Sequence, residues 1–143
     1  MAADPLVWEQ HPRSDRYQEG VFRQFFDDAM NSGGALLAID SVNGAVIGSS
    51  RYHGFNAAES EVEIGWTFLA RTHWGGKYNG EMKRLMLAHA FQFIDSVVFL
   101  VGPNNTRSCR AMEKIGGVRD GTRTDATGLE AIVYRIEKTN FTD

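Results

Sequence analysis

The stretch that most constrains this chain runs from Glu61 to Ala90, where the hydrophobic period changes. From Glu61 to Ala70 the residues alternate: Val62, Ile64, Trp66 and Phe68 fall on one face, Glu61, Glu63 and Thr67 on the other. That period of two predicts a strand over 61–70. From residue 77 the period becomes helical. Met82, Met86, Leu87, Ala90, Phe91, Phe93 and Ile94 cover about half of a helical wheel, which predicts a deeply packed helix over 77–94. Between the two lie three glycines, Gly75, Gly76 and Gly80. A short apolar run over 96–101 follows as a buried strand, so the helix is a crossover between strands.

The flanking segments complete the pattern. Asp15 and Gln18 have capping-box spacing, and Val21, Phe22, Phe25, Phe26, Ala29 and Met30 recur at helical spacing until Asn31-Ser32-Gly33, predicting a helix over 16–31. Ala35 to Val42 and Ala45 to Tyr52 flank Asn43-Gly44, a hairpin signal. Asn104 or Asn105 caps a helix over 106–115 with inner stripe Ser108, Ala111, Met112 and Ile115, and outer row Arg107, Arg110 and Lys114. Gly116-Gly117 ends it, and strands over 118–123 and 129–138 close the chain. This order predicts one α/β (α+β) domain over 1–143 with a mixed sheet.

Composition narrows the partners. The net charge is −3, with both signs interspersed, which disfavours nucleic acid or an anionic membrane. The single cysteine, Cys109, forbids an internal disulfide and fits a reducing, cytoplasmic setting. No apolar run approaches the ~20 residues of a membrane span, and the N-terminus lacks the order of a signal peptide. No metal-ligand spacing stands out.

The glycine segment lacks the Lys-Ser/Thr ending of a P-loop and the spacing of a dinucleotide loop. Two readings remain. It is a tight connection, or it is an anion cradle in which glycines let a phosphate approach the unpaired N–H groups of a helix start. Lys77, Lys83 and Arg84 stand close in sequence. Lys83 is the one charge within the apolar arc, able to reach a ligand or to snorkel to solvent.

These residues resemble the GNAT superfamily of acetyl-coenzyme-A-dependent N-acetyltransferases, the RimJ/RimL-type branch in particular. The matches are Glu63-Ile64-Gly65, Trp74-Gly75, Tyr78 and Glu81, then Asn105, Ser108, Lys114 and Gly116. The resemblance implies a GNAT-like, mostly antiparallel sheet with helices on both faces. It implies that strand 61–70 splays from strand 96–101 and that acetyl-CoA lies in the opening as cosubstrate. Main-chain groups of Phe68, Leu69 and Ala70 would pair with the pantetheine arm. The segment Trp74, Gly75, Gly76, Lys77, Tyr78, Asn79 and Gly80 would hold the pyrophosphate, Asn105 the pantetheine, and Ser108 would lie near the sulfur. Arg107, Arg110 and Lys114 are candidates for the 3′-phosphate, or simply a solvated face.

The departures are equally specific. Lys77 stands where the family usually has glycine. Met112 stands where many members have a tyrosine that protonates the departing thiolate, and methionine has no proton to give; Ser108 or a water would take that job. Family members usually begin with a further strand before the region matching Ala2 to Glu9, so a sheet lacking that strand is expected. Its open edge would invite a second copy of the chain.

The implied chemistry is direct attack of an amine acceptor on the thioester. Glu63 is the first candidate for the base, or else a structural ion-pair partner. Glu81 suits a helix start. His53, at the end of the second hairpin strand, is a candidate to line an acceptor site, but His53, His73 and His89 each read more readily as structural residues. Cys109 reads as a packed thiol. The competing class is a coenzyme-A-binding module or scaffold without turnover.

Overall fold

The computed structural model describes residues 1–143. The hairpin signal is obeyed: β1 (Ala35–Ile39) and β2 (Val46–Asn56) pair antiparallel. β1 stops at Ile39, short of the predicted Val42, because Asp40 starts the turn early. Its carboxylate accepts from the Val42 N–H and its carbonyl from the Gly44 N–H, with Gly44 at φ +72°. β3 (Glu61–Leu69) pairs antiparallel with β2 and parallel with β4 (Ser96–Val101). β5 (Val118–Thr124) and β6 (Glu130–Glu137) form a second hairpin, with β6 against β4. The six strands run in the order β1-β2-β3-β4-β6-β5, so β3–β4 is the one parallel pair of a mixed, mostly antiparallel sheet.

Helices cover both faces. Here α1 is Pro5–Trp8, α2 Glu19–Ser32, α3 Lys77–Ala90 and α4 Thr106–Lys114. α3 and α4 bury Met86, Leu87, Ala90 and Met112 against Val62, Ile64, Val97, Phe99 and Tyr134. α1 and α2 cover the other face through Val7, Trp8 and Phe25, packed on Phe68. Trp8 is fully buried, and its indole N–H donates to the Ala2 carbonyl at 2.8 Å, which seats the first residues on the domain. α2 starts at Glu19 rather than 16 and ends in left-handed Gly33 (φ 71°). Phe26 and Met30, expected inside, are exposed, as are Leu37 and Ile39 of the edge strand β1.

α3 ends four residues before the predicted boundary. Its last turn tightens, with the Gln92 N–H bonded to the His89 carbonyl and the Phe93 N–H to the Ala90 carbonyl. That rotation leaves Phe93 73% exposed against His89, while Phe91 and Ile94 stay in the core. No helix is long and apolar enough to cross a membrane.

The predicted alternation of β3 fails at one residue, and the failure shapes the site. Trp66 has φ +52°, and two residues of β3 (Trp66 and Thr67) oppose one of β2 (Ser50) between the pairs Arg51↔Gly65 and Ser49↔Phe68. This bulge exchanges the faces beyond it. Trp66 and Phe68 therefore join Glu63 on the α2 side, while Thr67 joins Val62 and Ile64 on the α3 side.

Candidate active site

β3 and β4 pair only through Glu61↔Ser96, Val62↔Val97 and Glu63↔Val98. Beyond Glu63 they part, and a cleft of about 890 Å³ opens between them, bounded by the α3 start, α4 and the residues after α1. The bulge lies in the parted segment. A non-glycine residue at positive φ costs on the order of 1 kcal/mol or more, a strain that clusters at functional sites.

At the mouth, α3 begins without a side-chain cap. Gly75 has φ +69°, and Gly76 supplies no side chain to the helix start. The main-chain N–H groups from Gly75 to Asn79 meet no acceptor within the protein. A Cβ on Gly75, Gly76 or Gly80 would meet nothing within 4 Å, so this row of donors faces open space. Partial positive charge at a helix start makes such a row an anion site. Of the segment expected here, Trp74, Gly75, Gly76, Asn79 and Gly80 line the cleft. Lys77 and Tyr78 do not. The Lys77 ammonium lies 5.7 Å from the Tyr78 ring, and Tyr78 packs on His73. Trp74 has a structural duty as well: its indole N–H donates to the Leu69 carbonyl at 2.9 Å, which occupies one of the strand groups expected to be free. Phe68 and Leu69 line the cleft, whereas Ala70 points its N–H to the Ile47 carbonyl.

α4 forms the opposite wall. Asn105 is buried; its Oδ1 accepts from the Ser108 N–H at 3.2 Å and caps the helix, leaving its amide N–H₂ group for the cleft. Ser108 and Met112 line the same wall. The Arg107 guanidinium stacks on Trp74 at 3.8 Å, closing the mouth from above, and exposed Arg110 and Lys114 continue the basic rim. Cys109 is buried in the core, as expected.

At the closed end, Glu63 occupies the last paired position. Burial pushes its carboxyl up to about 7, with Asp125 and Glu61 adding in the same direction against Arg123 and Arg51. It makes no ion pair, in contrast to Glu61, which is held by Arg123 at 3.0 Å and Arg135 at 2.8 Å. A Cβ on Gly65 would sit 3.0 Å from Glu63 Oε2, so the glycine leaves the carboxylate its place. Lys83 does not snorkel. It is 3% exposed, lines the cleft, and donates to Thr67 Oγ1.

Several lining residues carry no motif. His11 and Arg16 border the cleft on the α2 side. Burial lowers His11 to about 4, and burial together with Arg13 and Arg51 lowers Arg16 to about 10. Arg51 does not line the cleft; it is buried between Phe25 and Trp66, 5.5 and 4.4 Å from their rings, with Nε and Nη2 unbonded. The one cue to it in the sequence is an arginine at an inward strand position. His53 stacks on Trp66, His73 pairs with Asp40 at 3.2 Å, and His89 packs on Tyr52; none of the three lines the cleft.

A family model described as an acetyltransferase (GNAT) domain matches residues 1–118. No curated protein sequence matches the chain. Among solved structures, an acetyltransferase-assigned protein of T. thermophilus is 28% identical, covering 96% of this chain and 77% of its own, with TM-score 0.77. A GNAT-family acetyltransferase from Bacillus anthracis is 23% identical over 96% of this chain and 85% of its own, TM-score 0.76. Mycobacterium smegmatis RimJ, solved in complex with CoA-disulfide, is 16% identical over 91% and 67%, TM-score 0.69.

Proposed function

The chain belongs to the GNAT acetyltransferase family, and from that premise we propose that it moves an acetyl group from acetyl-coenzyme A to a primary amine by direct attack, as a cytoplasmic enzyme of the RimJ/RimL type. The observation that carries the reading is the row of unsatisfied N–H groups at the α3 start, facing open space at the mouth of a strand fork. Two linked phosphates supply the charge and the acceptors that such a row lacks.

Within this reading Gly75 to Gly80 hold the pyrophosphate, and Arg107 and Arg110 the 3′-phosphate. The Asn105 amide and the β3 main chain at Phe68 and Leu69 hold the pantetheine arm, the Leu69 carbonyl being already bonded to Trp74, with Ser108 near the sulfur. Coenzyme A brings the activated thioester; the protein orients it and handles protons. Glu63 takes the proton of the attacking amine, and its raised pKa suits that work near neutrality. The RimJ/RimL assignment rests on Glu63-Ile64-Gly65, Trp74-Gly75 and Asn105 with Ser108.

Isothermal titration with coenzyme A and acetyl-coenzyme A, followed by thiol release over a panel of amines, tests the proposal. Binding with release on at least one amine is expected. Binding without release on any would leave a coenzyme-A-binding module, and no binding would overturn the reading. Asn105→Ala should weaken coenzyme binding and, through the lost cap, lower stability by about 1 kcal/mol.

A further inference from the structure

Lys83 is the one charged side chain on the buried face of α3. Its Nζ donates to Thr67 Oγ1 at 2.6 Å and lies 5.5 Å from the centre of the Phe99 ring. An ammonium has three N–H donors; one reaches Thr67 and the other two find no acceptor in the protein. Thr67 Oγ1 is in turn 2.8 Å from Ser50 Oγ, which donates to the Gly65 carbonyl at 3.5 Å, so the chain of hydroxyls supplies Lys83 no carboxylate. A buried charge kept for structure needs a partner. Glu61 in the same sheet has two. Lys83 has no carboxylate, and it lines the cleft.

Its position is the fork's closed end. Phe99 is the first β4 residue past the last pair, Glu63↔Val98, and Thr67 is the second residue of the β3 bulge, after Trp66. Glu63 comes to that end on the α2 face, Lys83 on the α3 face. The reaction zone thus has a carboxylate on one side of the sheet and an ammonium on the other.

Resting on the acyl-transfer reading above, we infer that Lys83 is the acid of the reaction, donating a proton to the sulfur as coenzyme A departs, a role for which Met112 has no proton. The C–N bond to the acceptor forms and the C–S bond breaks, its electron pair passing to sulfur. Lys83 gives that sulfur one proton, the amine's proton leaves toward Glu63, and the neutral Lys83 amine is reprotonated from solvent through the open cleft. Burial brings Lys83 down to about 7, where an amine gives up its proton readily. Tyr52 of β2 bonds the Met86 carbonyl on α3. The other charged and titratable groups lining the cleft are Glu63 of β3, His11 and Arg16 after α1, Arg107, Arg110, Glu113 and Lys114 of α4, and Asp125 of the β5–β6 turn. Burial alone, and none of these charges, moves Lys83.

The test is the ionisation of coenzyme A's own thiol when bound, followed by the ultraviolet absorbance of the thiolate across pH in the native protein, Lys83→Met, Lys83→Arg and Ser108→Ala. A charged neighbour favours the thiolate, so Lys83→Arg, charged throughout, should bring the bound thiol about one pH unit or more below free coenzyme A. In the native protein the amine itself titrates near 7; thiolate and ammonium hold each other charged as a coupled pair, and the same shift is expected. Lys83→Met should lose that shift while still binding. Lys83→Gln serves as a second neutral variant should the methionine not pack. A native protein that binds no coenzyme A overturns the transferase reading together with this one. Binding with the same thiol titration in native and Lys83→Met proteins overturns the Lys83 assignment alone, as does a shift that Ser108→Ala removes and Lys83→Met leaves.

Discussion

Glu63 and Gly65 act as a pair. The carboxylate is half-buried and unpaired, and the glycine two residues on leaves it room. Because burial holds Glu63 protonated up to about 7, the base form appears as pH rises through that value. The kcat/KM profile should therefore climb on its acid side as Glu63 ionises and fall on its alkaline side as Lys83, also near 7, loses the proton it has to give, a bell centred near pH 7. Glu63→Gln should lower the rate on the order of 10²-fold and flatten the climb, with coenzyme binding unchanged by titration calorimetry. Full rate in Glu63→Gln across pH would show that the proton leaves by another route. Arg51 makes a second case. It buries a guanidinium with two unbonded nitrogens against two aromatic rings, a costly arrangement for packing alone. Arg51→Met should hold or raise Tm and, by removing a positive charge that lowers Glu63, move the climb in kcat/KM to higher pH; a fall in Tm with an unmoved profile would make the arginine purely structural.

At the scale of elements, the sequence made legible whatever depends on local period and punctuation. The strand–glycine–helix unit from 61 to 90, the Asn43-Gly44 hairpin and the Asn105 cap all appear where their residues placed them. What sequence could not show is set by tertiary contacts. The bulge at Trp66 breaks a clean alternation, because β3 must pair with β2 on one edge while parting from β4 on the other. That one residue sends Thr67 toward Lys83, and no period-two reading contains it. His11 and Arg16 line the cleft because α1 folds back onto Phe68, a long-range contact without a motif. The cradle itself separates the two readings of the glycine segment. Gly80 lies in the first turn of α3, where glycine costs a helix about 1 kcal/mol relative to alanine, and a Cβ there would meet nothing. Gly80→Ala should thus raise Tm by a few degrees in thermal melts. If the space is kept for phosphate, the same change should weaken coenzyme A binding; unchanged affinity would mark Gly80 as merely a turn residue.

For the whole molecule, the buried groups of the cleft make stability depend on pH in a definite direction. Glu63 keeps its proton in the folded state from 4.5 up to about 7, so alone it would make stability fall across that window. His11 is uncharged in the folded state from about 4 up to 6.5, where the unfolded chain still binds a proton, so alone it would make stability rise. The two oppose each other over nearly the same range. Above 7 Lys83 stands alone. The folded state releases its proton near 7 and the unfolded chain near 10.5, so the unfolded state holds the extra proton and stability rises with pH between them. The slope is about 1.4 kcal/mol per pH unit at most; above 10 Tyr52, pushed up to about 12 by burial, opposes it, while Arg16, lowered to about 10, adds to it. Urea unfolding at pH 7, 8 and 9 should give a rising free energy for the native chain and a flat one for Lys83→Met. That variant should also be the more stable of the two at pH 7, by as much as a few kcal/mol. A protein that becomes sturdier when its cleft lysine is removed, yet loses control of the bound thiol, has kept that charge for chemistry. Parallel slopes in the two proteins would mean that the ammonium is solvated in the cleft and bears no folding cost at all.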